Sequence, residues 1–451
     1  MKIEKKKIYN WSRTINYYTK IISPNNFADL KNILDNNSEN LSISFLGGGC
    51  SYGDCYLNKS GIIIDLSNLN KIIDINYKEG FALVECGVRV DQLLNILLKE
   101  GFYFNSIPGA NNATIGGCIN SNVHGKDSFK EGVFSNNVIS LKVMNSSGLI
   151  IDLNSNDDDF FLALGTYGLN FIILEAKLKI KQVNTSSLMV NSEKFTNYKE
   201  MLLLFTKYEN QNFDMLGAWV DHFDKEGRGI FKAARWVKND KFPIFKKINL
   251  SIGIFKRLYI FILYPIISIF FVNRSTIKNC NKILYSLVKN NNKVLNYSDF
   301  YFPQQQFLPE ESKLFSKGKI NIQILIPQEK VEEILRSISI LSIDYKMESW
   351  WLGVKKHKKN DFIFNFAGNG FDISLQWSKK HIEHKNFSIF YKRLIKIVID
   401  NNCLVYLTQD ILMNKEDFIK IYGDQSIFIK NKKRLDPNSV FKNSLYNRLI
   451  N

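Results

Sequence analysis

The 451-residue sequence predicts an α+β fold in two domains, and three observations carry that prediction. From Ile43 to about Lys181, short apolar runs broken by glycine turns alternate with helix-like stretches. Beyond Gln182 glycine becomes sparse and longer amphipathic segments take over, which places a domain boundary near residue 183. Two glycine-rich segments, 45–54 and 107–127, fall in the first half where a strand ends and where a helix begins.

In chain order, ISFLGGG, GIIIDLS, ALVECG and LIIDL read as strands of the first domain. Between them VRVDQLLNILLKEG reads as a helix: Leu93, Leu94, Leu97 and Leu98 recur at helical spacing, and Gly101 stands at the C-terminal cap. In the second domain INIQILIP reads as a strand, followed by an amphipathic helix in EKVEEILRSISILS. No solenoid repeat or low-complexity tract occurs, only Asn/Lys-rich loops such as 289–293.

With 45% hydrophobic and 23% charged residues, the chain has the balance of a folded protein with a sizeable core. Its net charge of +17 is compatible with nucleic acid, an anionic membrane surface or a phosphorylated substrate. The lysines are scattered and no recognition motif or basic stripe with interleaved aromatics is present, which argues against nucleic acid. The six cysteines have no zinc-like spacing and are too few for a disulfide framework, as expected in a reducing compartment. The basic N-terminus is followed by no apolar signal core, so a cytoplasmic protein is expected. Leu258–Val272 is strongly apolar but short, is divided by Pro265, and is flanked by Lys246, Lys247, Lys256, Arg257 and Arg274. It reads either as a segment lying in a membrane interface or as a buried helix pair. His381 and His384 at a helix start, and His222 beside Asp221, lack further ligands, so no metal is expected.

The segment FLGGGCSYGD follows a strand, and its glycines would let the backbone approach a ligand closely. It is not a Rossmann fingerprint, because Tyr52 stands where the third glycine belongs, and an ordinary tight turn is the alternative. IPGANNATIGGCINSNVHGKD adds the Pro108–Gly109 turn, Thr114 as a helix cap, and Gly116 and Gly117 at the helix start. Together the two segments could hold the pyrophosphate of a dinucleotide from two sides.

The order GGGxSYGD, ECGVRVDQLL, PGxxxxTIGGxIxxxxHGK and GTYGLNFIILEAKLKI resembles the vanillyl-alcohol-oxidase-type family with its PCMH-type FAD domain, and within it the decaprenylphosphoryl-β-D-ribose 2-oxidase group. The likeness runs from YNWSRT near the start to KKRLDPNSVFKNSLYNRL at the end. It implies an FAD-binding domain over 1–182, an antiparallel-sheet substrate or cap domain over 183–402, and a segment 403–451 returning to the FAD domain. The implied FAD contacts are Gly47, Gly48, Gly49, Cys50, Ser51, Tyr52 and Asp54 from the first loop. Pro108, Gly109, Thr114, Gly116, Gly117, Asn120 and Asn122 follow from the second. His124, Gly125, Lys126 and Tyr406 would lie by the flavin, and Ile172 toward the adenine end. Many relatives carry a flavin-linking histidine where Cys50 stands, so FAD is expected to be non-covalent.

The resemblance also implies oxidation of a sugar hydroxyl by hydride transfer to flavin, with a polyprenyl-phosphate pentose as substrate. An NAD(P)-dependent reductase would complete the reaction, and peripheral contact with the inner membrane would reach the lipid. Trp219, Asn321, Gln323, Lys355 and Ser374 match the substrate pocket, with Lys355 placed for a substrate phosphate. Gln409 in YLTQD replaces the family's active-site lysine, so Lys355, Tyr301, His124 and Lys126 become candidates for its proton chemistry. Ser374 stands where some relatives carry a reactive cysteine.

Overall fold

The computed structural model describes residues 3–451 except 38, 184, 238–272, 303–317, 361, 365, 367 and 382. Leu258–Val272, with its two alternative readings, therefore lies outside the described residues. No helix among the described residues is long and apolar enough to cross a membrane.

In chain order the strands are β1 (Ile3–Tyr9), β2 (Asn16–Ile22), β3 (Ile43–Leu46), β4 (Ile62–Asp65), β5 (Ile72–Asn76), β6 (Phe81–Glu85), β7 (Phe102–Tyr103), β8 (Val138–Met144), β9 (Ile150–Asn154) and β10 (Ile172–Lys179). They continue as β11 (Lys181–Gln182), β12 (Ser187–Phe195), β13 (Met215–Val220), β14 (Gly229–Trp236), β15 (Asn291–Asn296), β16 (Lys319–Pro327), β17 (Leu352–His357), β18 (Gly370–Ser378) and β19 (Leu404–Val405). The expected strands at 43, 62, 81, 150 and 319 are all present. The helix after β6 spans Val90–Leu97, tightens into a 3-10 turn and stops at Gly101, whose φ of 73° needs no Cβ.

Three main sheets result: β1-β2-β4-β3, in which β4 runs parallel to both neighbours; the antiparallel β5-β6-β10-β8-β9; and an eight-stranded antiparallel sheet, β15-β12-β14-β13-β17-β18-β16-β19. This is an α+β architecture in two domains.

The eight-stranded sheet has two unlike faces because neighbouring side chains on a strand point to opposite sides. On β16, Ile320, Ile322, Ile324 and Ile326 face one way, and in register with them stand Trp377, Leu375, Ile373 and Phe371 of β18. These side chains pack with Phe205 of helix Tyr198–Asn210, Ile338 of helix Val331–Tyr345 and Phe390 of helix Lys385–Asp400 in one buried cluster. Each such aliphatic or aromatic side chain contributes roughly 1.5–3 kcal/mol by its burial. The opposite face carries the polar residues and looks toward the glycine-rich loops.

The C-terminal segment is stitched to the first sheet. Ile43 N–H donates to Val440 O at 2.7 Å, and Lys442 N–H donates to Ile43 O at 3.0 Å. Arg448 then pairs with two buried carboxylates: Nε and Nη2 reach Asp54 at 3.0 and 2.9 Å, and Nη1 reaches Asp410 at 2.8 Å. Removing the guanidinium would strand both acids in the interior. Arg448→Met should therefore lower unfolding free energy by about 3–5 kcal/mol, read as a shifted denaturant midpoint, whereas losing an exposed pair such as Lys396–Asp400 should cost about 0.5 kcal/mol or less.

Candidate functional site

A cavity of about 780 Å³ lies between the glycine-rich loops and the polar face of the eight-stranded sheet. Its cofactor-side wall is made by the two segments singled out in the sequence, which pack on each other. A Cβ on Gly47 would meet Thr114 Oγ1 at 2.2 Å, and one on Gly48 would meet Asn112 O at 2.3 Å. These two glycines are thus required by loop-on-loop contact, and Gly49 by its φ of 64°. Thr114 caps the short helix Ile115–Asn120, its Oγ1 accepting from Gly117 N–H at 3.3 Å. A Cβ on Gly109 would meet nothing within 4 Å, so that backbone stands open to the cavity.

The opposite wall follows from strand register. Asn321 pairs with Gln376, Gln323 with Ser374, Gly353 with Ser374, Lys355 with Asp372, and Trp219 with Gly353, so all these side chains share one face. Ser374 Oγ donates to Asn321 Oδ1 at 3.0 Å, and Asn321 Nδ2 donates to Gln409 Oε1 at 2.6 Å. Gln409 is thereby oriented by two strands of the sheet.

At the centre stands a fully buried carboxylate. Asp372 accepts a hydrogen bond from Gln323 Nε2 and lies 3.4 Å from Lys355 Nζ, 3.5 Å from His357 Nε2 and 3.8 Å from His124 Nδ1. Burial opposes its ionisation, but Lys355 and His357 outweigh that and hold its carboxyl below the usual carboxylate range. Lys355 Nζ donates to His124 Nδ1 at 2.9 Å. Burial first, then Lys355 and His357, push His124 well below its ordinary value, so His124 is a neutral ring with Nδ1 as acceptor. The ligand atoms of His124, His357 and Asp372 lie within 4.8 Å of one another. Lys355 already brings a cation to His124 and Asp372, so the cluster is balanced without a metal ion.

Most of the residues expected at the site line this one cavity: Gly47 to Tyr52, Pro108, Gly109, Thr114, Gly116, Gly117, Asn120, His124 to Lys126, Trp219, Tyr301, Asn321, Gln323, Lys355, Ser374, Tyr406 and Gln409. Three do not. The carboxylate of Asp54 is taken by Arg448, Asn122 accepts from Ser135 N–H at 3.2 Å, and Ile172 is buried in β10 while its neighbour Ile173 reaches the cavity. Tyr301 is present but committed: its hydroxyl donates to Ile107 O at 2.5 Å and accepts from Lys126 N–H at 3.2 Å, and burial raises its pKa further. It locks the 107 and 126 loops together. Tyr406 Oη likewise donates to Ser121 O at 2.7 Å.

Lys232, Trp351 and Gln376 also line the cavity, and Asp372 and His357 back it, although none was singled out in the sequence. The signal for two of them was there: in FDISLQWS, Asp372 and Gln376 alternate with apolar residues on either side of Ser374, as on a strand with one polar face. His222 is buried and accepts from Ser349 N–H at 2.9 Å, and His384 caps the helix Lys385–Asp400; neither belongs to the cavity wall.

Residues 19–154 match the family model of an FAD binding domain, and the opposed cradles with open backbone at Gly109 fit that cofactor. The chain is an FAD-dependent oxidoreductase. Over 98% of its length it is similar, at 25% identity, to the decaprenylphosphoryl-beta-D-ribose oxidase of Mycolicibacterium smegmatis, of which it covers 97%. Shorter similarities join it to the D-2-hydroxyglutarate dehydrogenase of Haemophilus influenzae, 36% identical over 30% of this chain and 14% of that protein. The L-gulonolactone oxidase of Mus musculus is 24% identical over 38% of this chain and 39% of that protein. The group of enzymes so defined acts on CH–OH groups.

Lys126, half-buried on the cavity wall, is lowered to about 7 by burial and by the nearby charges of Lys355 and Lys232. Its amine is therefore neutral at pH 8. Brief acetylation of the protein across pH, read by mass spectrometry, should show Lys126 reacting with a midpoint near 7, whereas exposed lysines follow their ordinary value of about 10.4.

Proposed function

We propose that the chain oxidises a sugar hydroxyl, the 2-hydroxyl of a polyprenyl-phosphate-linked pentose, with residues 1–182 and 403–451 holding FAD and 183–402 covering the substrate. The observation that carries this reading is the polar row Asn321, Gln323, Lys355, Ser374 and Gln409 facing the two glycine cradles across one cavity. Similarity over nearly the whole chain to an enzyme named for a decaprenylphosphoryl ribose supports the choice of substrate.

Bound FAD supplies the hydride acceptor. The protein's part is to bind and orient the carbinol and to manage its proton. Ser374 and the amide row hold the sugar, and the remaining donors of Gln409 Nε2 face the ligand. Lys355, tied to neutral His124 and countered by Asp372, is the cation beside the reacting centre. With Asp372 this close, Lys355 is better suited to the hydroxyl than to a substrate phosphate. Tyr301 and His124 act by positioning, and Lys126 and Lys232 are further amines on the cavity wall.

Non-covalent FAD is supported by the state of Cys50. Its thiol is pushed up to about 12 by burial and contacts Gly48 O and Asn112 Oδ1, so it is no nucleophile at neutral pH. A reductase using NAD(P) would return the keto sugar to an alcohol, and peripheral membrane contact would bring the lipid-linked substrate to the cavity. A second reading, a lactone or sugar-alcohol oxidase acting on a soluble substrate, is favoured by the partial likeness to L-gulonolactone oxidase.

Acid precipitation should leave the flavin absorbance in the supernatant, and anaerobic addition of a polyprenyl-phosphoryl pentose to intact protein should bleach it. Flavin retained in the pellet would refute the non-covalent site, and bleaching by gulonolactone but not by the lipid-linked pentose would favour the second reading. Gln409→Lys, which restores a cation at the end of the amide row, should speed flavin reduction by about tenfold, the effect of one charged hydrogen bond.

A further inference from the structure

The cation excess of the cavity is not evenly spread. On the polar face of the eight-stranded sheet a row of lysines crosses the strands. Lys355 on β17 is countered by Asp372, whereas Lys232 on β14 and Lys293 on β15 have no carboxylate within ion-pair distance among the described residues. Register places Lys232 opposite Gly217 on β13 and opposite Ser192 on β12, and Lys293 opposite Val190, two residues along on the same face. Gly217 contributes no side chain, so a trough lies between Lys232 and Lys355, about 10 Å wide at a strand spacing near 4.8 Å. Lys126 is latched to its edge, because Leu216 N–H donates to Lys126 O at 2.8 Å, and its Nζ donates to Tyr301 O at 3.1 Å.

Of the neighbouring carboxylates, Asp214 is paired with Lys130, and Glu193 lies on the opposite face with Lys207 and Tyr208. Asp127 accepts from Ser106 N–H through Oδ2 and lies near enough to Lys126 to favour that lysine's charged form, an effect smaller than the burial and the lysine charges that oppose it. The lysines accordingly repel one another: Lys232 is lowered by its surroundings and by Lys293, and Lys126 by its surroundings, Lys355 and Lys232. An anion taken up beside these amines favours their charged forms, and so would return to Lys126 the proton that burial and its lysine neighbours remove. Beside it, Leu284 and Val288 belong to the cavity wall, while Ile283 and Leu287 of the helix Arg274–Leu287 are exposed apolar side chains.

We propose that Lys126 and Lys232 form an anion subsite over Gly217 that holds the phosphate of a phosphate ester, with Lys293 adding its charge from β15 outside the cavity wall and the apolar rim at Leu284, Leu287 and Val288 receiving the ester's hydrophobic alcohol. The subsite deepens the sugar-oxidation reading, on which it rests, by placing the phosphate one strand from Lys355 and two from Ser374. It does not depend on turnover.

The test is calorimetric titration of the flavin-loaded, oxidised protein with farnesyl phosphate, farnesol, ribose 5-phosphate and inorganic phosphate. Farnesyl phosphate should bind most tightly. Lys232→Gln should weaken it about tenfold and Lys293→Gln, being exposed, about threefold, while Lys232→Arg retains most of the affinity. Farnesol binding should be unchanged in both Gln variants, and Lys396→Gln on the outer helix layer should change nothing. Parental affinity for farnesyl phosphate in the Lys232→Gln, Lys293→Gln double variant, or an equal loss for farnesol, would overturn the anion subsite. Equal binding of ribose 5-phosphate or inorganic phosphate would overturn the apolar half. If no sugar reduces the flavin but farnesyl phosphate binding remains lysine-dependent, the oxidation reading fails and the subsite stands.

Discussion

The two-sidedness of the eight-stranded sheet is the constraint on which the site depends. Because side chains alternate, the apolar residues of β16, β17 and β18 enter the helix-covered core, and Asn321, Gln323, Gly353, Lys355, Ser374 and Gln376, which stand between them, face the cavity. The isoleucines of β16 drive burial on one side. Asn321 and Gln323 then have no choice but to stand opposite the glycine cradles. A register slip of one residue would bury the amides and expose the isoleucines, so the stability of the core and the placement of the polar row are set by the same pairing.

Electrostatics refine that arrangement. Asp372 enters the cavity wall by the same alternation as Ser374 and Gln376, but it is fully buried and survives as a carboxylate only because Lys355, His357, His124 and Gln323 surround it. Its charge divides the lysines of the cavity into two groups. Lys355 is countered by Asp372, and Lys126 and Lys232, further along the wall, are held below the ordinary lysine value by burial and by neighbouring lysines. Gln409, at the end of the amide row, brings no charge of its own to the cavity.

The cofactor side is held by close backbone contact. Gly47 and Gly48 let the first loop lie against Asn112 and Thr114, and Tyr301, from a short helix that follows β15, fastens the 107 and 126 loops by its hydroxyl. From the far end of the chain, Arg448 closes the structure by neutralising Asp54 and Asp410. The SYGD motif thus contributes its acid to chain closure rather than to the cavity, a role invisible until residue 448 is brought beside residue 54.

Local features were legible in the sequence by itself. Strands and helices at 43, 62, 81, 90, 150, 319 and 331 follow from apolar periodicity and glycine stops, and the capping of the 115 helix by Thr114 follows from residue chemistry alone. Motif order, through its likeness to known flavoproteins, brought most of the cavity's residues together by number. Tertiary structure alone decided what each polar group faces. Asp54 is turned to Arg448, the Tyr301 hydroxyl to Ile107 O, and Lys355 is paired with Asp372 on the cavity wall, and Lys232 joined a wall for which its own segment carried no motif. The physical reason is that propensity and capping act over a few residues, whereas a charge takes its partner from whatever strand or terminus the fold sets within a few ångströms, without regard to distance along the chain.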